Sequence, residues 1–130
     1  MGTYEVSVDH AFSARHAVRL PDGSWEAPHC HLWQVTATFR SERLHEVMGV
    51  VVDFLDVQRA LEKIDGKFQG ADLNELPAFD GMSPSAERVA EYIAARLAAH
   101  LGPACGLYCV KITEAPGCGA AFYPGPQAPK

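Results

Sequence analysis

The sequence predicts an α+β domain in which a four-stranded antiparallel sheet is covered on one face by two helices. Three observations predict it. Apolar and polar residues alternate from Tyr4 to Ala14, the signature of a half-buried strand. Apolar residues then recur at helical spacing in two separate stretches, Val57 to Phe68 and Val89 to Leu101. Strand-like runs lie both before and after those stretches, so the order is strand, strand, helix, helix, strand, strand.

Tyr4, Val6, Val8, His10, Phe12 and Ala14 share one face of the first strand, and Glu5, Ser7, Asp9 and Ser13 share the other. His16 keeps the inward parity if the strand continues that far. Pro21, Asp22, Gly23 and Ser24 then break the pattern as a turn. Leu32 to Phe39 is rich in β-branched and aromatic residues and reads as the second strand. Asp53 suits a helix N-cap, with Asp56 in the first turn, and Val57, Ala60, Leu61, Ile64 and Phe68 form the buried stripe. Ser83 is expected to cap the second helix, with Pro84 at its first position and Glu87 in the first turn. Val89, Ile93, Leu97 and Leu101 form its stripe, and Gly102-Pro103 ends it. Leu107 to Thr113 is the third strand and Ala120 to Tyr123 the fourth, across a Gly117-Cys118-Gly119 turn. Residues 1–123 are expected to form a single domain, and the three prolines of residues 124–130 to mark a disordered tail.

Composition narrows the functional classes. The chain of 130 residues is 48% hydrophobic and 21% charged, with a net charge of −5. It has no block of Lys or Arg, which argues against a nucleic-acid or membrane-surface partner. With no leader-like N-terminus and no apolar run of membrane-spanning length, the expected location is the cytoplasm. Cys30, Cys105, Cys109 and Cys118 form neither a C-x-x-C pair nor a secreted framework, so reduced thiols are expected.

The chemistry concentrates in three of the six histidines. His29 and His31 are alternate residues of W-E-A-P-H-C-H-L-W, so an extended backbone presents both imidazoles to one point. His16 ends the first strand-like run. Three neutral imidazoles and an open fourth position are what a catalytic zinc site needs. Cys30, between the two histidines, should point to the opposite face. His10 reads as a satisfied core histidine, and His45 and His100 read as exposed.

At these residues the chain resembles the family of 6-pyruvoyl-tetrahydropterin and 6-carboxy-tetrahydropterin synthases. F-S-A-R-H (12–16) with H-C-H (29–31) resembles its metal site, where the second element usually reads H-G-H. G-V-V-V-D-F (49–54), D-L-N (72–74), S-P-S-A-E (83–87) and I-T-E (112–114) resemble further family segments in the same order. The resemblance implies a tunnelling fold whose sheets join into barrel-shaped trimers, two of which commonly stack as a hexamer with active sites between subunits. It also implies lyase chemistry on 7,8-dihydroneopterin triphosphate. His16, His29 and His31 would be the zinc ligands, and Glu114, helped by Thr113, would accept hydrogen bonds from the pterin.

Two departures shape the functional expectation. The family's main enzymes carry a catalytic cysteine shortly before H-G-H, and residues 22–28 contain none. One branch instead uses a glutamate spaced as E-x-x-H-G-H, and E-A-P-H-C-H (26–31) fits, which makes Glu26 the candidate general base. The family's L-D-H-x-x-L-N aligns with F-Q-G-A-D-L-N (68–74), placing Gln69 and Gly70 where the proton-relay pair belongs. Sliding to I-D-G (64–66) restores Asp65 but puts Gly66 in the histidine position. The expected function is a divergent zinc-dependent lyase acting on 7,8-dihydroneopterin triphosphate or a related reduced pterin, as a homo-oligomer. The alternative is a homologue that binds zinc and pterin without the parent activity. Arg15, Arg19 and Lys67 are candidate triphosphate contacts that the sequence does not place.

Overall fold

A computed structural model describes residues 2–125. Strands β1 (Tyr4–His16), β2 (His29–Ser41), β3 (Leu107–Ala115) and β4 (Cys118–Phe122) form one antiparallel sheet in that spatial order. Helices α1 (Phe54–Asp65) and α2 (Ala86–Leu101) lie between β2 and β3 in the chain. Helix α2 packs on β3 and β4, and α1 packs on α2 and β1. The core between them joins Phe12, Trp33 and Val35 of the sheet to Leu61 of α1 and Ile93 and Leu97 of α2. The element order and the one-sided helical layer follow the sequence expectation, and no helix among the described residues is long and apolar enough to cross a membrane.

The strands run further than residue preference alone indicates. Strand β1 continues through His16, and β2 begins at His29, not Leu32, because the two pair in continuous register from Tyr4↔Ser41 to His16↔His29. Cross-strand hydrogen bonds therefore recruit residues with weak intrinsic preference for a strand. Strand β3 extends to Ala115, and the turn to β4 is Pro116-Gly117, leaving Cys118 and Gly119 within β4. Between Thr113 and Ala115 the β3–β4 register slips, so Glu114 has no partner opposite it. That extra residue is a β-bulge, a device that bends a strand and re-aims a side chain.

Asp53 caps α1 as expected, its side chain accepting from Leu55 N. Phe68 is buried, although α1 ends before it. The cap of α2 differs from expectation. Ser85 holds that position and accepts from Arg88 N, whereas Ser83 Oγ accepts from Arg19 N. Pro84 thus precedes the helix, which leaves its carbonyl free for another partner.

The segment after α1 runs along the end of β1. Gly70 N donates to Ser13 O, Arg15 N donates to Ala71 O, and Gln69 Oε1 accepts from Ser13 N. Asn74 then brackets Ala17, its Oδ1 accepting from the Ala17 amide at 2.8 Å and its Nδ2 donating to the Ala17 carbonyl at 2.9 Å. A sheet edge left open would expose these backbone groups; here they are satisfied and the strand end beside His16 is held. The tail expected from residue 124 falls beyond the described residues from 126 onward.

Candidate metal centre

Strand pairing assembles the site. His16 lies opposite His29 and Ala14 lies opposite His31, so the inward-facing histidines of two strands meet at one end of the sheet. Their ring centroids lie 4.6 Å apart for His16–His29, 5.4 Å for His16–His31 and 4.5 Å for His29–His31. Glu114 comes from the bulge of β3 onto the same face. One ligand atom from each of His16, His29, His31 and Glu114 lies within 4.8 Å of all the others. Val110 and Ile112 of β3 are buried, and the alternation they set puts Glu114 on the same face; the sequence resemblance assigned Glu114 a place at the pterin wall and did not bring it to the histidines.

Neighbouring carbonyls set the imidazole tautomers. His16 Nδ1 lies 2.8 Å from Pro84 O and His29 Nδ1 lies 3.1 Å from Ala27 O. A carbonyl only accepts, so each Nδ1 carries the proton and, in the neutral ring, Nε2 keeps its lone pair. This is the outer support expected of a metal-ligating imidazole. The Pro84 contact was invisible in the sequence because it joins residues on either side of the first helix. Trp33 completes the wall, fully buried, its ring centroid 4.7 Å from that of His16, and its indole N–H donates to Ala14 O.

The donor set fits a cation. His16 is 1% exposed, and its Nε2 has no hydrogen-bond partner although Glu114 Oε1 stands 2.5 Å away. Glu114 Oε1 is also 3.3 Å from His31 Nε2. A neutral imidazole lone pair facing a carboxylate sets two acceptors against each other, which a shared cation reconciles. Desolvation holds the His31 imidazole below its ordinary pKa of 6.5, outweighing the opposing attraction of Glu114. That favours the neutral, metal-binding form. Nitrogen ligands with a carboxylate oxygen suit zinc.

The other expected residues divide around this cluster. Glu26 Oε1 accepts from Val18 N at 2.9 Å and lies 3.8 Å from His29 Nε2. Glu26 also lines a cavity of about 450 Å³, together with Arg19, Trp25, Asp72, Asn74 and Ser83. Thr113 and Glu114 line a second cavity of about 510 Å³ with His31, Leu32, Gln34 and Cys30. Cys30 is exposed and outside the donor cluster, in keeping with its parity. Arg19 stands at the first cavity, where its Nε is bonded to Gly23 O and its guanidinium lies over Trp25. Arg15 lines a separate hollow with Asp72, and Lys67 is exposed.

The remaining histidines stay apart. His10 is half-buried against Asp65, whose carboxyl is raised above its ordinary range by burial despite the His10 attraction. His45 Nδ1 accepts from the amides of Val47 and Met48 in an exposed turn, and His100 is exposed near the end of α2.

Solved structures with this architecture come from several organisms. The 6-pyruvoyl tetrahydropterin synthase of Caenorhabditis elegans superposes with a TM-score of 0.82 at 17% identity, covering 95% of this chain and 96% of that one. The Plasmodium falciparum 6-pyruvoyl tetrahydropterin synthase gives 0.75 at 18% identity, covering 92% and 96%. A Plasmodium vivax 6-pyruvoyltetrahydropterin synthase, described as a catalytic-residue mutant with a glutamate changed to alanine, gives 0.75 at 14% identity, covering 94% and 98%. At these identities the likeness is one of fold. No curated protein shows a significant match to the sequence. The sequence itself matches the family model for 6-pyruvoyl tetrahydropterin synthase over residues 5–125, nearly its whole length, and on that ground the chain belongs to the 6-pyruvoyl tetrahydropterin synthase family.

Proposed function

We propose that this chain is a zinc-dependent lyase acting on 7,8-dihydroneopterin triphosphate or a related reduced pterin, with Glu26 as its base. The observation that carries the reading is the convergence of His16, His29, His31 and Glu114, with His31 and Glu114 lining one cavity beside Thr113 and with Glu26, which lines the other cavity, 3.8 Å from His29. His16, His29 and His31 would hold the metal. Zinc bound there would polarise oxygens of the substrate side chain and make the neighbouring C–H and O–H protons more acidic.

The chain's own groups do the rest. Glu26 is anchored by the Val18 amide and stands beside His29, in position to take a proton from a side chain lying across the cluster. The glutamate described as catalytic in the Plasmodium vivax relative supports that role. Glu114 and Thr113 form the wall against which the amino and ring N–H groups of a pterin would rest, with a carboxylate accepting from a two-donor edge. The outer strands β1 and β4 offer edges for pairing with further copies, in keeping with a hexamer built as a dimer of trimers. A cytoplasmic location suits such a protein.

A second reading has its own observation. Gln69 and Gly70, at the positions of the family's relay pair, are engaged in backbone bonds to Ser13, and neither can shuttle a proton. That favours a protein that binds zinc and pterin without turnover. Incubation of the zinc-loaded chain with 7,8-dihydroneopterin triphosphate, with products identified by mass spectrometry, separates the two. A 6-hydroxymethyl, 6-pyruvoyl or 6-carboxy product that disappears in Glu26→Gln supports the lyase. Stoichiometric pterin binding with no product supports the second reading and refutes the first.

A further inference from the structure

We propose that Glu114 is the fourth metal ligand of the substrate-free protein and leaves the metal when a pterin arrives. The carboxylate would act in turn as the closing ligand and as the pterin's acceptor. This inference rests on the metal- and pterin-binding part of the function proposed above and deepens it.

Three independent features carry it. The first is proximity: Glu114 Oε1 is 2.5 Å from His16 Nε2 and 3.3 Å from His31 Nε2, so the carboxylate stands among the imidazoles and not on the opposite wall of a substrate pocket, and the His31 distance is that of two ligands about 2 Å from one tetrahedral ion. The second is the state of His16. Its Nδ1 proton is committed to Pro84 O, the side chain is almost wholly buried, and its Nε2 has no hydrogen-bond partner despite the adjacent carboxylate. A buried acceptor left in that condition is costly, and a metal shared with Glu114 removes the cost. The third is the bulge. The β3–β4 register skips Glu114, which frees this one residue from the ladder on the β4 side, and its carboxylate lies among the histidines.

A site closed by three imidazoles and a carboxylate has the four-coordinate form of a structural zinc centre, whereas a catalytic centre keeps a position open. Here the same side chain also borders the cavity where Thr113 and Gln34 lie. A ligand offering two N–H donors on that side competes for the carboxylate and, by drawing it away, opens the fourth position only when substrate is present. Glu26 is the other carboxylate near the cluster, but its closest approach is 3.8 Å to His29, and its Oε1 is held by the Val18 amide.

The test uses the full chain loaded with Co²⁺ or Zn²⁺, with folding of every variant checked by circular dichroism. In wild type the visible cobalt bands should have the intensity of four-coordinate Co²⁺. In Glu114→Gln they should shift as water takes the place of the carboxylate, and zinc affinity should fall at least about tenfold, the scale seen when groups supporting a metal are lost. Glu26→Gln should leave the cobalt spectrum unchanged. Adding a reduced pterin to wild type should shift the bands. A Glu114→Gln protein with wild-type bands and zinc affinity would overturn the proposal while leaving the metal site itself intact. So would pterin binding, seen by fluorescence, with no change in the cobalt bands. A wild-type chain that holds no metal would refute both this proposal and the function on which it rests.

Discussion

Trp33→Phe tests how the core holds the metal centre. Trp33 is fully buried, stacks on Phe12 at 5.9 Å, and donates its indole N–H to Ala14 O at 3.1 Å. The smaller ring removes about 40 Å² of buried apolar surface, worth about 1 kcal/mol. Loss of the hydrogen bond costs about 0.5–1.5 kcal/mol. The void left where the indole stood adds about 1 kcal/mol if the neighbours do not close in. The expected destabilisation is therefore about 2–4 kcal/mol, or a melting temperature lower by roughly 10 °C for a chain of this length. The assay is urea unfolding of the metal-free protein followed by circular dichroism, which does not depend on the lost chromophore. Because His16 and His31 make T-shaped contacts with Trp33, zinc affinity should fall as well. A loss below about 0.5 kcal/mol, the range of an unremarkable surface change, would refute the account of Trp33 as the wall of the site.

The helix cap and a buried carboxyl supply further tests. Ser85→Ala should destabilise the protein by about 1 kcal/mol in urea unfolding, whereas Ser83→Ala should leave the α2 cap intact; the reverse order would return the cap to Ser83. The Asp65 carboxyl is raised above its ordinary 3.8 by burial, so the folded chain holds that proton to higher pH than the unfolded chain does. Its contribution to stability is then present below about pH 4 and lost as pH rises through the folded value. Urea midpoints across that acid range should show the decline in wild type and a flatter profile in Asp65→Asn; identical profiles would contradict the assignment.

The strand alternation of Tyr4–Ala14 and the stripes Val57–Ile64 and Val89–Leu97 were legible because they are local: period and residue type are written along the chain. Element ends were less so. The extension of β1 to His16 and of β2 back to His29 depends on each strand having the other as partner, and no preference of His, Cys or Pro announces it. The α2 cap was misplaced by two residues because Ser83 and Ser85 are both good caps, and Arg19 occupies Ser83.

The sequence by itself determined the order of elements, the face of each strand, and the alternation that sends His29 and His31 one way and Cys30 the other. It also marked Glu26 by its spacing from those histidines. Tertiary structure alone decided that Glu114 meets His16, that Pro84 orients the His16 ring, and that Asp65 finds His10. The physical reason is range. Parity and periodicity follow from backbone geometry within a few residues, whereas these contacts span tens of residues and exist only once the sheet has paired and the helices have closed over it.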